Sequence, residues 1–132
     1  MVVFDREPGT LRGMYASGRV GFLHDMLEVA GGANVLADVD RQSIQASIEL
    51  ILARAPEVII EFHSGAPWTP DRITRELGVW ATLASVPAVR TGRVHILIDE
   101  KLSIPGPRVV EAIQILAHAL HPNRQAPSPE VR

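Results

Sequence analysis

The stretch EVIIEF at 57–62 constrains the fold more than any other part of the chain. Three of its residues are β-branched and one is aromatic. The apolar positions do not alternate with polar ones over the length a half-exposed strand would need. That pattern predicts a short strand buried on both faces, as in a parallel sheet sandwiched between helices. Pro56 closes a helix just before it, and a polar tip, His63-Ser64-Gly65, follows at once. A strand covered on both faces needs two covering layers, so the rest of the chain has to supply helices. With 132 residues, 46% of them hydrophobic, one domain can bury such a core and two ordinary ones cannot.

The remaining sequence reads accordingly. VVFD at 2–5 is a second short apolar strand. REPGTLRGMYASGRVG at 6–21 crowds four glycines and a proline into sixteen positions, which predicts a structured loop of a length that is usually functional in compact domains. Phe22, Leu23, Met26, Leu27 and Ala30 share one helical face, and Gly31-Gly32 provides the left-handed stop. NVLAD at 34–38 reads as a short strand and VDRQSIQA as a connection. Ser47 caps a helix with Ile48, Ile51, Leu52 and Ala55 on one face. Thr69-Pro70-Asp71 opens another, continued by Ile73, Leu77, Trp80 and Ala81. GRVHILID at 92–99 is a further strand. Pro107 starts a last helix striped by Val109, Val110, Ile113, Leu116, Ala117 and Leu120, and NRQAPSPEVR is a polar tail.

This alternation predicts an α/β fold: a single three-layer lobe, residues 1–122, whose mostly parallel sheet of about four strands is flanked by helices on both faces, with a flexible tail at 123–132. In such sheets ligands gather beyond the carboxyl ends of the strands. The loop after Asp5, the tip at 63–67 and EKLSIPGPR at 100–108 therefore share one predicted ligand face.

Charge narrows the function. Thirteen basic and fifteen acidic residues give a formal net charge of −2, without the basic footprint of a nucleic-acid or anionic-membrane binder. There is no cysteine, hence no disulfide or thiolate metal site. No stretch reaches the roughly 20 apolar residues of a membrane helix, and Met1 runs into VVF without the marks of an export signal. Asp5, Glu61, His63 and Asp99 sit at strand ends as hydrolase acids and bases do, but neither a GxSxG elbow nor a glycine-rich phosphate loop accompanies them, so the chain is read as non-enzymatic.

Taken in order, FLHDMLEVAGGANVLAD, SIELILARAPEVII, WATLASVPAVRTGRVHILID and PGPRVVEAIQILAHALHP resemble the C-terminal lobe of the periplasmic binding proteins that feed vitamin B12, ferric siderophores or haem to ABC importers. The resemblance spans nearly all of residues 2–122. It implies a clamshell of two α/β lobes joined by one long helix, of which this chain supplies one; the other lobe, the bridging helix and a signal peptide would precede Met1. The implied partners are a small-molecule ligand (cobalamin, a ferric siderophore or haem), the importer's transmembrane subunits, and either the missing lobe or a second copy of the chain. The implied location of the parent protein is periplasmic or otherwise extracytoplasmic. The alternative is a stand-alone lobe acting as a dimerisation or regulatory module.

The candidate residues follow. By resemblance Glu49 matches the carboxylate presented to the importer, although first-turn placement also suits the helix dipole. Tyr15 and His63 lie on the ligand face as a flat wall and a hydrogen-bonding group, a role that outweighs iron ligation for both; no metal site is expected, since His118 and His121 lack a third ligand. Ser64 shares the tip with His63. Trp68 suits stacking on a large flat ligand. Arg19 and Lys101, with Arg12, would form a basic rim for anionic ligands. Arg108, a cation opposing its helix dipole, either pairs with Glu111 or turns its guanidinium to the cleft.

Overall fold

The computed structural model describes residues 1–63, 68–98 and 109–121. Its strands are β1 (Val2–Asp5), β2 (Tyr15–Ser17), β3 (Ser43–Gln45), β4 (Ile59–His63) and β5 (Val94–Ile98). Its helices are α1 (Phe22–Val29), α2 (Ile48–Arg54), α3 (Pro70–Gly78), α4 (Pro87–Arg90) and α5 (Val109–Leu120), with a 3-10 segment at Val79–Leu83. The sheet order is β3-β2-β1-β4-β5. β4 lies parallel to both β1 and β5, while β2 runs antiparallel to β1 and to β3. Four strands therefore point one way and only β2 is reversed.

The expected α/β lobe is present, with local differences. The strand expected at 34–38 is a series of turns, because the buried Asn34 carboxamide donates to Ser17 O and Gly18 O and accepts from Leu36 N at 3.0 Å. Such side-chain bonds offer the backbone an alternative to a ladder. Two strands that were not expected, β2 and β3, complete the five; they are three-residue segments inside stretches read as loop and connection, and three residues are too few to show a period. Gly18 makes their junction possible: a Cβ there would stand 2.2 Å from Arg41 O.

Both faces are covered. Met26 and Leu27 of α1, with Ala30 at its C-cap, pack with Leu116 and Ala119 of α5 over Val2, Ile60 and Phe62. Across the sheet, Ile51 of α2 joins Trp80, Leu83, Val86 and Ala88 over Val3, Ala16 and Ile59. α1 ends as its glycines predict, with Gly31 at φ 91° and Gly32 N donating to Leu27 O at 3.0 Å, a Schellman closure. The Ser47 hydroxyl accepts from Leu50 N at 3.1 Å and caps α2. That helix stops at Ala55, held left-handed at φ 45° because Pro56 disfavours continuation. α3 is shorter than its apolar spacing suggested, and the tighter 3-10 turn after Gly78 carries Trp80 into the core. Met1 is already buried beside β4: its ammonium donates to Val58 O at 2.9 Å, and burial pushes its pKa down to about 5.

Candidate functional site

The carboxyl ends of β1, β4 and β5 lie on one side of the lobe. Asp5 ends β1 and pairs with Tyr15 of β2, while His63 ends β4 and pairs with Ile98 of β5. Tyr15, His63 and the residue preceding the 99–108 segment thus stand along one rim, as the strand-end rule requires. Ser64, Lys101 and Arg108 lie outside the described residues.

Behind this rim sits a buried ionic knot that the sequence reading did not anticipate. Glu61 points into the α3 face of β4 with no exposed surface. Arg6, just after β1, grips it with Nε to Oε1 at 2.7 Å and Nη2 to Oε2 at 3.2 Å. The same guanidinium reaches Glu76 Oε1 of α3 at 2.8 Å, Glu76 O at 3.1 Å and Thr10 O at 3.0 Å. Trp80 Nε1 donates to Glu61 Oε2 at 2.6 Å, His63 Nε2 lies 3.0 Å from Oε1, and Gly9 N donates to both Glu76 oxygens. Burial alone would raise the Glu61 carboxyl, but the hydrogen bonds from His63, Arg6 and Trp80 outweigh it and hold the pKa below the usual carboxylate value. Glu76 is lowered in the same way, burial being overcome by Gly9 N–H and Arg6. A bidentate guanidinium supplies the planar fork that this buried carboxylate needs. The signal was present in the sequence: a glutamate inside EVIIEF cannot be buried without a cation, and Arg6 follows the neighbouring strand.

The knot positions the tip. His63 is held by Glu61 on one side and meets the Trp68 ring at 4.5 Å between centroids, and the Arg72 guanidinium lies 3.9 Å over the same indole. Trp68, predicted to stack on a ligand, therefore already touches two side chains of its own lobe. Of the four residues that resembled a hydrolase set, Glu61 is occupied by three donors, one of them His63, and Asp5 is exposed, while Asp99 lies outside the described residues.

A cavity of about 530 Å³ extends from Phe4, Asp5, Phe62 and His63 across to Ser17 and Ser43, walled by the start of α1 at Val20–Leu23. Gly21 gives α1 no side-chain cap, so first-turn N–H groups stand at this wall. Of the predicted contacts, His63 borders the cavity. Tyr15 stands at the rim, 37% exposed. Arg19 adjoins Val20 but its guanidinium meets Asp40 at 3.1 Å in solvent, a pair of little energetic weight. At the opposite ends of the same strands lies a second cavity of about 570 Å³, bounded by Met1, Leu27, Gly32, Ala55, Val58 and Leu120 among others.

Glu49 is exposed in the first turn of α2. The apolar face assigned to this helix is rotated from the expected one: within α2 only Ile51 is fully buried, and Ile48 and Leu52 are 43% and 45% exposed. Glu49 consequently sits beside two outward aliphatic side chains.

An α/β lobe with a cavity at the carboxyl ends of its strands is a ligand-binding architecture. The family described as "Periplasmic binding protein" matches residues 1–101, and the chain belongs to that family. Cobalamin-binding proteins from two strains of Halobacterium salinarum are 31% identical over 113 residues, 81% of this chain and 29% of theirs; the chain thus spans under a third of the length of these relatives. Among solved structures, an ABC-type Fe3+-hydroxamate transport protein from Saccharomonospora viridis shares the fold at a TM-score of 0.73 and 24% identity, covering 90% of this chain and 40% of that one. The periplasmic vitamin B12 binding protein of Vibrio cholerae does so at 0.70 and 23%, covering 94% and 45%.

Proposed function

We propose that this chain is the ligand-binding lobe of an ABC-importer substrate-binding protein that carries cobalamin, an iron-siderophore or a similar ligand such as haem, working by capture and delivery and not by bond chemistry. The observation that carries this reading is the cavity of about 530 Å³ bordered by His63 and the start of α1, within the size range of small-molecule sites and at the expected end of the sheet. Tyr15, Arg19, His63, Ser64, Trp68, Lys101 and Arg108 are the proposed contacts. Glu49, with Ile48 and Leu52 beside it, is the proposed face toward the importer's transmembrane subunits, and the parent protein would work on the outer side of the cytoplasmic membrane.

The rim also carries apolar surface. Val20 is 46% exposed, and Tyr15 and Ile98 are 37% exposed. Burial of these side chains against a second lobe, or against a second copy of the chain, would complete the enclosure that one wall cannot provide. Titration of the chain with cobalamin, a ferric hydroxamate and haem, followed by tryptophan fluorescence, tests the reading. Saturable quenching by one of the three, weakened in His63→Ala, is expected. Absence of saturable binding to all three, with the fold intact by circular dichroism, would overturn it.

A further inference from the structure

His63 Nε2 lies 3.0 Å from Glu61 Oε1, and an ionised carboxylate can only accept hydrogen bonds. Arg6 and Trp80 donate to the same carboxylate and keep it ionised. The hydrogen between ring and carboxylate therefore belongs to Nε2. A neutral imidazole with its proton on Nε2 has an unprotonated Nδ1 carrying an electron pair in the ring plane. No described residue bonds to that atom. Among the described residues the only buried side-chain nitrogen or oxygen without a partner is His95 Nε2, so His63 Nδ1 is reachable from solvent, on a side chain that borders the cavity.

We propose that Glu61 is a positioning residue that fixes His63 as the Nε2–H tautomer, so that the rim presents an electron pair at Nδ1 to an electron-poor group of the ligand. That group is a metal centre with an exchangeable coordination position or an N–H or O–H donor; an acceptor atom placed there would meet lone pair against lone pair. The inference rests on the ligand-binding reading above. A carboxylate behind an imidazole fixes its orientation and raises its basicity toward metals and donors alike. Here the backing group is itself locked by Arg6 and Trp80, and the ring rests against Trp68, so the nitrogen is preorganised before a ligand arrives. Side-chain alternation along β4 puts Glu61 and His63 on the same side of the strand, two residues apart.

Nitrogen-15 NMR of the histidine rings at about pH 8, above the roughly 6.5 of an ordinary imidazole, reads the tautomer directly in the ligand-free chain. The expected spectrum has His63 Nε2 protonated and Nδ1 bare, with the preference relaxed in Glu61→Gln, whose amide can offer either a donor or an acceptor. A protonated Nδ1 in the wild-type chain overturns the proposal even if Glu61→Gln does not fold. The ligand side is read with two corrin probes, aquocobalamin, whose axial water exchanges, and cyanocobalamin, whose axial positions are both filled. Ligation predicts a change in the visible spectrum with the aquo form alone, lost in His63→Ala. A hydrogen bond predicts a loss of affinity of about tenfold for both probes in His63→Ala, without a spectral change. Binding of both probes unaffected by His63→Ala would sink the proposal while leaving the ligand-binding reading intact. Binding of neither would count against the corrin reading, with the tautomer still decided by the ring nitrogens.

Discussion

The two ends of the parallel strands carry cavities of almost equal volume, about 530 and 570 Å³, yet they are built from different chemistry. At the amino ends two of the lining polar groups bond within the chain: Arg93 Nη2 donates to Leu120 O, and His121 Nε2 lies 3.2 Å from Gly31 O. At the carboxyl ends the satisfied charges are sunk beneath the surface, and what faces outward is an imidazole with a free nitrogen, a carboxylate at Asp5 and an uncapped helix start. Volume alone would not separate the two. What separates them is the set of polar groups along the carboxyl rim, which supports the ligand side proposed above.

The contrast can be broken most sharply at Glu61. Replacing it with alanine leaves Arg6 buried and half-compensated, with an expected loss of about 3–5 kcal/mol in chemical denaturation. The pair Arg6→Met and Glu61→Leu should recover part of that loss, since a hydrophobic replacement removes the desolvation cost of both ions while Glu76 and the Trp80 N–H each lose a partner. A double variant as unstable as Glu61→Ala would mean that Glu76, Gly9 and Thr10 depend on the guanidinium for their own order.

Acid should then distinguish the two ends by the pH at which each gives way. The Met1 ammonium has its pKa depressed from 8.0 to about 5 in the folded state. Between those values the folded chain binds fewer protons than the unfolded one, so stability falls as pH is lowered through that window, by up to about 4 kcal/mol. Glu61 and Glu76 are held below the ordinary 4.5. Their contribution is present above that value and disappears as pH drops through their folded values. Urea unfolding of the chain with a free and with an acetylated amino terminus should show the upper window flattened by acetylation and the lower one untouched. An unchanged upper window would assign it to histidines instead.

The smallest expected effect lies at the amino end. Ala55 is left-handed at φ 45°, and Ala55→Gly should remove a local strain of about 1–2 kcal/mol, offset in part by the greater freedom of glycine in the unfolded chain. A net gain below about 1 kcal/mol in thermal unfolding is expected. A loss would show that the methyl group's packing at the far cavity outweighs its backbone strain.

The sequence disclosed the layers and not the seams between them. EVIIEF, the stripe through Met26 and Leu27, and the caps at Ser47 and Thr69 each contain enough residues, or a specific enough donor pattern, to announce themselves, and the structure places them as their periodicity requires. β2 and β3 are too short for that, and their pairing depends on Gly18 meeting the Arg41 carbonyl from 23 positions away in the chain, a contact no local pattern encodes. The same limit applied to the site. His63 could be placed on the rim because the end of EVIIEF is legible, and Tyr15 because it lies in the loop that follows Asp5. Arg6 and Glu76 were not, since their importance comes from meeting Glu61 at separations of 55 and, through Arg6, 70 residues.

The guanidinium of Arg6 serves six acceptor atoms at once: both oxygens of Glu61, one carboxylate oxygen and the carbonyl of Glu76, and the carbonyls of Glu7 and Thr10. A lysine has three donors on a single point and cannot fork around them. Across diverging descendants of this lobe, positions 6, 61 and 76 should consequently be inherited as a trio, kept together or exchanged together for hydrocarbon, and a lineage in which one has drifted alone should bear a compensating change within reach of that arginine.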